Sequence, residues 1–246
     1  RSRHRLFFAE GLELVKRAFE FGAGVKSLVL TDRFAATPEC TALAETAGSE
    51  GVPVHVATEG LLAKILDAKP TPECLAVVER RVCSIQSTLA GHLPLVQMVE
   101  HGENADNLGM LLRSCDAAGV TGVILTANTT DPFSRRVVRG SRGAVFTLPI
   151  CMHQDSAGVI QAARERGIRI IASSAQAEKP YTEADYTKPS LIVVGNEHVG
   201  ISQTVRETAD DVVRIPMLGR INSLNIAVAA SVLMYEVVRQ RDYLMT

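Results

Sequence analysis

Short apolar runs alternate with amphipathic segments along most of the chain, and this alternation limits the possible folds more than any other feature. Residues 191–195 (LIVVG) form a fully apolar run between turn residues, which is typical of a strand covered on both faces. Near the end of the chain, Ile226, Leu233 and Val237 recur at helical spacing. Repeated strand–helix units favour a mostly parallel sheet with helices on both sides. We therefore predict an α/β fold.

The alternation predicts two domains, because it breaks off over residues 81–94, which lack periodicity and contain Gly91 and Pro94. Before the break, predicted helices cover residues 10–21, 41–47 and 61–68, and predicted strands cover residues 27–31, 52–56 and 74–78. After it, predicted strands cover residues 95–99, 120–125, 168–172, 191–195 and 212–216, and predicted helices cover residues 108–118, 157–166 and 224–240. We expect a small α/β domain over residues 1–85, a linker over residues 86–93, and a mostly parallel-sheet domain over residues 94–246.

The composition is typical of a globular protein with a real core, at 46% hydrophobic and 22% charged residues. The longest apolar runs are far shorter than the roughly 20 residues that cross a bilayer, so we expect no membrane span. The five cysteines are odd in number and lack C-x-x-C spacing, and the histidines are scattered. This pattern predicts free thiols in a reducing compartment, a cytoplasmic location and no metal site.

The net charge of −1 is unusual for a protein that binds nucleic acid. If RNA binds, local basic patches must hold it, and two candidates are present. The first patch contains Arg1, Arg3 and Arg5, and the second contains Arg135, Arg139 and Arg142. The alternative for the second patch is an ordinary solvated helix face.

Glycine-rich nucleotide signatures are missing from the sequence. No G-x-G-x-x-G follows a predicted strand, and no P-loop pattern is present. The sequence therefore lacks the usual signals for a nicotinamide, flavin or ATP site, and for the commonest way of holding S-adenosylmethionine.

Three polar clusters follow predicted strands, where ligands bind in open α/β sheets. They are NADNLGMLLR at residues 104–113, GNEHVGIS at residues 195–202 and IPMLGRINSLN at residues 215–225. Each has a plain structural alternative when taken singly: Asn107 as a helix cap, residues 195–196 as a turn, and Ser223 as the N-cap of the last helix.

Taken together, in this order and spacing, the three clusters resemble the SpoU (TrmH-type) family of the SPOUT methyltransferase superfamily, which methylates ribose 2′-oxygens of RNA. The resemblance covers roughly residues 95–240, including SRGAVFTLP at residues 141–149. Residues 1–85, with FFAEG at residues 7–11, resemble the ribosomal-protein-like substrate-binding domain of rRNA-modifying members. The resemblance implies S-adenosylmethionine as cofactor, a homodimer whose sites receive help from the partner chain, and a C-terminal trefoil knot.

The resemblance also assigns site residues. The catalytic set that it implies is Arg113, Asn107, Glu197, Ser223 and Asn225. The cofactor-binding set is Gly195, Ile215, Leu224 and Met217. The chain departs from the family pattern at Ala105, where proline is usual, and at His198, where glycine is usual.

Arg113 is the expected centre of the chemistry. Its guanidinium is nearly always protonated, so we favour a cation that grips phosphate and stabilises the developing alkoxide over the family proposal of a deprotonated base. Arg113 lies six residues after Asn107, so one helix brings both toward the end of a site only if Asn107 is at the cap. Asn107, Ser223 and Asn225 would orient Arg113 and the ribose, and Glu197 would brace its own loop.

The favoured function is methylation of ribosomal RNA, because the additional front domain is typical of rRNA-modifying members. Methylation of tRNA is the alternative within the family. A non-catalytic RNA-binding protein with a decayed methyltransferase domain would have lost residues that this chain keeps. An unrelated small-molecule α/β enzyme would need a nucleotide motif that the sequence lacks.

Overall fold

The computed structural model describes residues 5–126, 128–196 and 199–241. The chain divides into two compact units. Unit one combines Arg1–Arg81 with Phe133–Thr147, and unit two combines Val82–Pro132 with Leu148–Thr246. Among the described helices, none is both long and apolar enough to cross a membrane.

Strands and helices alternate along most of the described chain. The strands are β1 (Leu6–Glu10), β2 (Val25–Thr31), β3 (Val54–Ala57), β4 (Cys74–Glu79), β5 (Leu95–Val99), β6 (Gly122–Leu125), β7 (Ile150–Met152), β8 (Arg169–Ser173), β9 (Lys179–Pro180), β10 (Ser190–Val194) and β11 (Asp211–Arg214). The helices are α1 (Leu12–Glu20), α2 (Asp32–Ala35), α3 (Pro38–Ser49), α4 (Glu59–Leu66), α5 (Ile85–Thr88), α6 (Ala105–Ala117), α7 (Arg135–Ser141), α8 (Ala144–Thr147), α9 (Ser156–Arg164), α10 (Gln203–Thr208) and α11 (Ile226–Gln240).

Unit one is built on a four-stranded sheet in the order β1-β4-β2-β3. Strand β4 runs antiparallel to β1 and β2, whereas β2 and β3 are parallel. Threonine side chains start three of its helices: Thr31 accepts from the backbone N–H of Phe34, Thr37 from that of Cys40, and Thr58 from that of Leu61. Such caps satisfy backbone donors that have no partner inside the helix.

The segment Phe133–Thr147 belongs to unit one, although the sequence pattern predicted it to lie inside the second domain. The physical reason is an aromatic cluster. The Phe7 ring lies 5.1 Å from the Phe133 ring and 6.0 Å from the Phe146 ring, measured between centroids. The Arg80 guanidinium lies over the Phe133 ring, 4.7 Å from its centroid. Since the Phe7 contacts join residues more than a hundred positions apart, local periodicity does not reveal them.

Unit two is built on a seven-stranded sheet in the order β7-β6-β5-β10-β8-β11-β9, and each pairing in it is parallel. Its central strands β5 and β10 are buried along their whole length, as the apolar run at residues 191–195 predicted. Helices α6 and α11 pack against each other, and α9 packs against α10. The predicted α/β fold with a mostly parallel sheet is confirmed.

The predicted linker over residues 86–93 is part of the packing of unit two. Its first residues lie in helix α5, and Leu89 is only 1% exposed in the hydrophobic core. A Cβ atom on Gly122 would lie 2.7 Å from the carbonyl oxygen of Thr88, so α5 lies directly against β6. The two units meet in sequence at Arg81 and Val82 instead.

Asp211 holds three neighbouring strands of unit two together. Its carboxylate accepts from Arg169 Nη2 at 2.7 Å and from Lys179 Nζ at 2.6 Å, so β8, β11 and β9 share one buried acid. Burial alone would raise the pKa of Asp211, but the hydrogen bonds from Lys179 and Arg169 outweigh burial and lower it.

Candidate functional site

A cavity of about 580 Å³ opens at the carboxyl ends of β8, β10 and β11 in unit two. Because the strands are parallel, the three loops that follow them meet at one edge of the sheet. The lining residues lie at 173–176, 194–196, 199–200, 214–215, 217, 219, 221–224, 226 and 229. The volume is within the range of about 300–1,000 Å³ that is usual for ligand sites.

The four predicted cofactor-binding residues all line this cavity. Gly195 lies on the loop after β10, and Ile215, Met217 and Leu224 lie on the loop after β11. The predicted catalytic residue Ser223 is exposed and lines the cavity as well. Glu197, also predicted as catalytic, lies outside the described residues.

The loop after β10 folds back so tightly that Gly195 cannot carry a side chain. A Cβ atom there would lie 2.2 Å from the carbonyl oxygen of Gly200 and 2.4 Å from the backbone nitrogen of Ile201. The backbone N–H of Gly200 donates to the carbonyl of Asn196 at 2.7 Å, and Gly200 takes a positive φ of 74°. Glycine is therefore required at both positions, for close approach at one and for backbone conformation at the other.

Asn107 and Asn225 connect the first and third polar clusters. Asn225 Nδ2 donates to Asn107 Oδ1 at 2.9 Å, while Asn225 Oδ1 caps α11 by accepting from the N–H of Ala227. Asn107 is 8% exposed. This hydrogen bond joins residues 118 positions apart, and it brings the start of α11 to the start of α6.

Arg113 is exposed, and the described lining of the 580 Å³ cavity does not include it. The cap of α6 is Asn104, whose Oδ1 accepts from the N–H groups of Asp106 and Asn107, so the condition that Asn107 be at the cap is not met. Six residues of helix separate Asn107 and Arg113 by about 9 Å along the axis. The helix therefore does not bring both residues to one end.

Glu100 is a site-building residue that the sequence pattern did not identify. It follows β5 directly and is 1% exposed. Its carboxylate accepts from the backbone N–H of Ser202 at 2.8 Å, from Ser202 Oγ at 3.0 Å and from Ser156 Oγ. Ser202 in turn caps α10. Glu100 thus ties the loop after β10 to the end of β5 and the start of α9. The only signal in the sequence was an acid directly after a strongly apolar strand.

The loop after β8, residues 173–176, was also missed, although it forms one wall of the cavity. Ser174 is 8% exposed, and its Oγ accepts from Arg206 Nη2 at 3.1 Å. The same nitrogen donates to Gln176 Oε1 at 3.4 Å. Serine and glutamine after a strand look like ordinary turn residues, so local pattern gave no reason to select them.

A smaller cavity of about 170 Å³ lies beside the large one and shares Asn196 and Ile226 with it. Its lining includes Asn107, which was predicted as catalytic. Asn196 Nδ2 donates to the carbonyl of His101 at 3.0 Å, which fixes the wall between the two cavities.

The predicted RNA-binding arginines that the structure describes belong to unit one, and their surroundings differ. Arg135 forms an ion pair with Glu10 and donates to the carbonyl of Leu66. The hydrogen bond to Glu10 raises the pKa of Arg135. Its guanidinium is therefore already engaged. Arg5, Arg139 and Arg142 are exposed, and Arg1 and Arg3 lie outside the described residues.

No group of three or more His, Cys, Asp or Glu side chains that could hold a metal ion is present in the part of the chain that the structure describes. The five cysteines are free thiols, four of them buried.

Comparison with known proteins identifies related sequences and structures. Residues 94–235 match the SpoU rRNA Methylase family. A 23S rRNA (guanosine-2′-O-)-methyltransferase, RlmB of Vibrio parahaemolyticus, is 32% identical over 184 residues, which cover 74% of this chain and 71% of the relative. A TrmH-family relative from Staphylococcus saprophyticus is 38% identical over 152 residues, and the match spans 62% of this chain and 61% of that protein's length. The AdoMet complex of the SpoU methyltransferase AviRb from Streptomyces viridochromogenes superposes with a TM-score of 0.86 at 28% identity, covering 98% of this chain and 92% of that one.

Proposed function

This chain belongs to the SpoU rRNA methylase family, and we propose that it transfers the methyl group of S-adenosylmethionine to a ribose 2′-hydroxyl of RNA. The observation that carries the proposal is the convergence of the three polar clusters. The second and third clusters line one 580 Å³ cavity, and the hydrogen bond between Asn225 and Asn107 joins the first cluster to the third. This convergence supports a single site built from residues that lie more than a hundred positions apart.

The large cavity fits S-adenosylmethionine in size and chemistry. Ile215, Met217 and Leu224 supply apolar surface, while Ser174 and Gln176 supply polar groups. The tight fold at Gly195 leaves only backbone at that position of the wall. A relative of the same fold has been crystallised with this cofactor. A cavity that mixes apolar walls with a few polar groups is what a nucleoside joined to an amino acid requires.

The residues of the chain would bind, orient and polarise the reactants. When bound, S-adenosylmethionine supplies an electrophilic methyl group. The acceptor hydroxyl is a weak nucleophile, so the site must align it and stabilise the charge that develops on its oxygen. Arg113 would supply that stabilisation and hold the neighbouring phosphate. Asn107 and Asn225 would position the ribose, Ser223 would contact it from the cavity wall, and Glu197 would brace the loop that follows β10.

We propose a homodimer in which Arg113 acts in the partner's site. Two observations support this arrangement. Arg113 is exposed to solvent and is not among the described residues that line the large cavity of its own chain. Helices α6 and α11, which pack against each other, also carry exposed apolar side chains. Met110 is 46% exposed, Val228 48% and Tyr235 51%. Exposed apolar groups of this kind commonly mark protein interfaces. Light scattering that gives the mass of a single chain at micromolar concentration would contradict the dimer.

Two further properties are proposed with the function. The segment from β10 to α11 would form a trefoil knot, which the out-of-order position of β10 between β5 and β8 supports. The protein would work in the cytoplasm, because free thiols suit a reducing compartment.

Ribosomal RNA is the favoured substrate. The alignment with a relative named as a 23S rRNA methyltransferase covers 184 residues, so it extends beyond the matched methylase region. Unit one would supply RNA affinity and substrate choice through exposed arginines, and unit two would carry the chemistry. Methylation of tRNA is the alternative, since a curated relative is named for both RNA classes.

The test has two parts. Calorimetry should detect S-adenosylmethionine binding in the presence of a chelator. Mapping of 2′-O-methyl groups in RNA from a host lacking the gene should reveal one or a few missing methyl groups, which the purified protein restores in vitro. Absence of cofactor binding, or an unchanged methylation map, would refute the proposal.

A further inference from the structure

The function described so far uses Asn107, which lines the 170 Å³ cavity of unit two, but assigns no ligand to the cavity itself. Its walls come from the end of β5, the loop that follows and the first two turns of α6, with one residue each from the loop after β10 and the start of α11. The lining residues are Val99, His101, Gly102, Glu103, Asn104, Asn107, Leu108, Leu111, Asn196 and Ile226. Because Asn196 and Ile226 also line the large cavity, occupants of the two cavities would be direct neighbours.

We propose that this cavity binds the base of the nucleotide that is methylated, and that this base is guanine. The inference rests on the proposed function. The volume is below the roughly 300 Å³ of sites for drug-sized ligands and holds several waters of about 30 Å³ each, which suits one nucleobase. Proteins recognise single-stranded RNA by turning a base outward, stacking it and reading its Watson–Crick edge.

The inner wall of the cavity is apolar. Val99, Leu108 and Leu111 are at most 2% exposed, and Ile226 is 7% exposed. Such a surface accepts the face of a flat ring, and the imidazole of His101 adds an aromatic group of the kind on which RNA bases stack.

The carboxylate among the polar side chains of the lining favours guanine over the other bases. Glu103 is exposed and contributes a carboxylate, which accepts two hydrogen bonds side by side. Guanine has two adjacent donors on its Watson–Crick edge, at N1 and at the exocyclic N2. Uracil has one donor between two carbonyls, while adenine and cytosine each place an amino group beside an acceptor nitrogen. Only guanine therefore matches both oxygens of one carboxylate.

The loop that carries Glu103 is held firmly. The carbonyl of His101 accepts from Asn196 Nδ2 at 3.0 Å, and the carbonyl of Gly102 accepts from the N–H of Thr130 at 2.9 Å. A Cβ atom on Gly102 would lie 2.8 Å from Val99 Cγ1, so the backbone packs directly on the end of β5. A recognition group on a fixed support discriminates better than one on a mobile loop.

The test is Glu103→Gln in the full chain. The amide places an NH₂ donor against one of the guanine donors, so a two-point match becomes a clash of donors. We expect kcat/KM for RNA to fall about tenfold to a hundredfold, the range for loss of one bidentate base contact. The affinity for S-adenosylmethionine should not change. Glu183→Gln is the matched control, because Glu183 is exposed in the same unit and lies outside the described lining of both cavities.

A second measurement does not depend on turnover. Saturation-transfer NMR with the four nucleoside monophosphates should show contact with GMP in preference to UMP, CMP and AMP, and Glu103→Gln should abolish that preference. Digestion and mass spectrometry of the methylated RNA should yield 2′-O-methylguanosine.

The two levels of the proposal fail in different ways. Methylation of a nucleotide other than guanosine, or a Glu103→Gln protein with wild-type kcat/KM and an unchanged GMP preference, would overturn the guanine site. If the wild-type protein methylated no RNA, the proposed function would fail, and the NMR result would decide the base site by itself.

Discussion

Two residues illustrate how much of the site depends on single groups. Gly195 permits a backbone contact that any side chain would block, and Arg113 carries the charge proposed to act on the ribose. One works by the absence of a side chain and the other by a permanent positive charge. Variants of the two residues should therefore fail at different steps, one at cofactor binding and the other at methyl transfer.

Gly195→Ala should weaken cofactor binding. The new methyl group would lie 2.2 Å from the carbonyl oxygen of Gly200, so the loop after β10 must move. Displacement of a binding group by about 1 Å can cost up to about a hundredfold, and we expect a loss of affinity of about tenfold to a hundredfold by calorimetry. Gly60→Ala is the control, since a Cβ atom on Gly60 would meet nothing within 4 Å. Equal affinity in the Gly195→Ala protein would show that the loop tolerates the side chain.

Arg113→Ala should lower single-turnover methyl transfer by about 10²–10³, the usual cost of removing one preorganised charged contact. The affinity for S-adenosylmethionine should stay within about twofold of the wild-type value, because Arg113 is not among the described residues that line the large cavity. Arg113→Lys should restore little, since an ammonium group cannot reproduce the planar fork of arginine. The exposed Arg166→Ala serves as control. Near-normal transfer by Arg113→Ala would refute the role, and a parallel loss of cofactor binding would make Arg113 a structural residue.

At the scale of elements, two buried acids connect segments of unit two through their side chains: Glu100 joins segments that the sheet does not pair, and Asp211 reinforces strands that are already paired. Glu100 joins β5, α9 and the start of α10, and Asp211 joins β8, β11 and β9. Glu100 follows β5 and holds the loop after β10, which lines the large cavity, whereas Asp211 is the first residue of β11, at the end of that strand away from the cavity. Their removal should therefore affect the stability of the unit, and in the case of Glu100 the site as well.

Glu100→Gln should destabilise unit two and weaken cofactor binding together. The amide oxygen can replace one carboxylate oxygen, but the NH₂ group then faces either the backbone N–H of Ser202, which cannot accept, or the two serine hydroxyls, whose hydrogen bonds must reverse. Leaving a buried polar group without a partner costs about 1–3 kcal/mol, measurable as the free energy of unfolding in urea. Glu183→Gln, at an exposed position, should change neither quantity. A Glu100→Gln protein with wild-type stability would show that Glu100 does not anchor the loop.

Asp211→Asn should lower the free energy of unfolding by about 1–3 kcal/mol at neutral pH. This expected loss is smaller than the loss on breaking a fully buried ion pair, because Arg169 and Lys179 are partly exposed. The pKa of Asp211 is lowered in the folded protein, so its contribution is complete above the ordinary value of 3.8 and is lost as the pH falls through the lowered pKa. Urea unfolding should thus give a constant difference between wild type and variant from about pH 7 to pH 5, and a smaller one below about pH 4. If the difference in the free energy of unfolding already became smaller at pH 6, its pH dependence would belong to a group other than Asp211.

At the scale of the whole molecule, the two units divide the proposed work between RNA affinity and chemistry. No single cut in the sequence separates the two units, because the segment Phe133–Thr147 belongs to unit one. A truncation that deletes residues 1–81 would remove Phe7, the ring on which Phe133 and Phe146 pack, so it would disturb more than RNA binding. Point variants in the complete chain test the division better.

Replacing Arg5, Arg139 and Arg142 by alanine together should weaken RNA binding without changing cofactor affinity. All three are exposed on unit one. Each phosphate contact with single-stranded RNA contributes about 0.7 to the slope of log affinity against log salt, so the slope should fall by roughly 2. Filter binding across a salt series measures it, with Arg166→Ala as control. An unchanged slope would assign the RNA contacts to other residues.

The sequence alone determined the elements of the fold and the family, because both depend on local information. Apolar periodicity predicted the central strands and the long helices of unit two to within a few residues. The three polar clusters identified the family because their residue types and spacing can be read without any contact between them. The four residues that the family resemblance assigned to the cofactor line one cavity, because they lie on the loops that follow two parallel strands of one sheet.

The tertiary structure decided what depends on contacts between distant residues. Glu100 meets Ser202 across 102 positions, Asn225 meets Asn107 across 118, and Arg135 meets Glu10 across 125. No periodic pattern encodes such pairs, since each partner taken singly is an ordinary polar residue. For the same reason, the membership of Phe133–Thr147 in unit one and the role of residues 173–176 became visible only when packing brought their neighbours together.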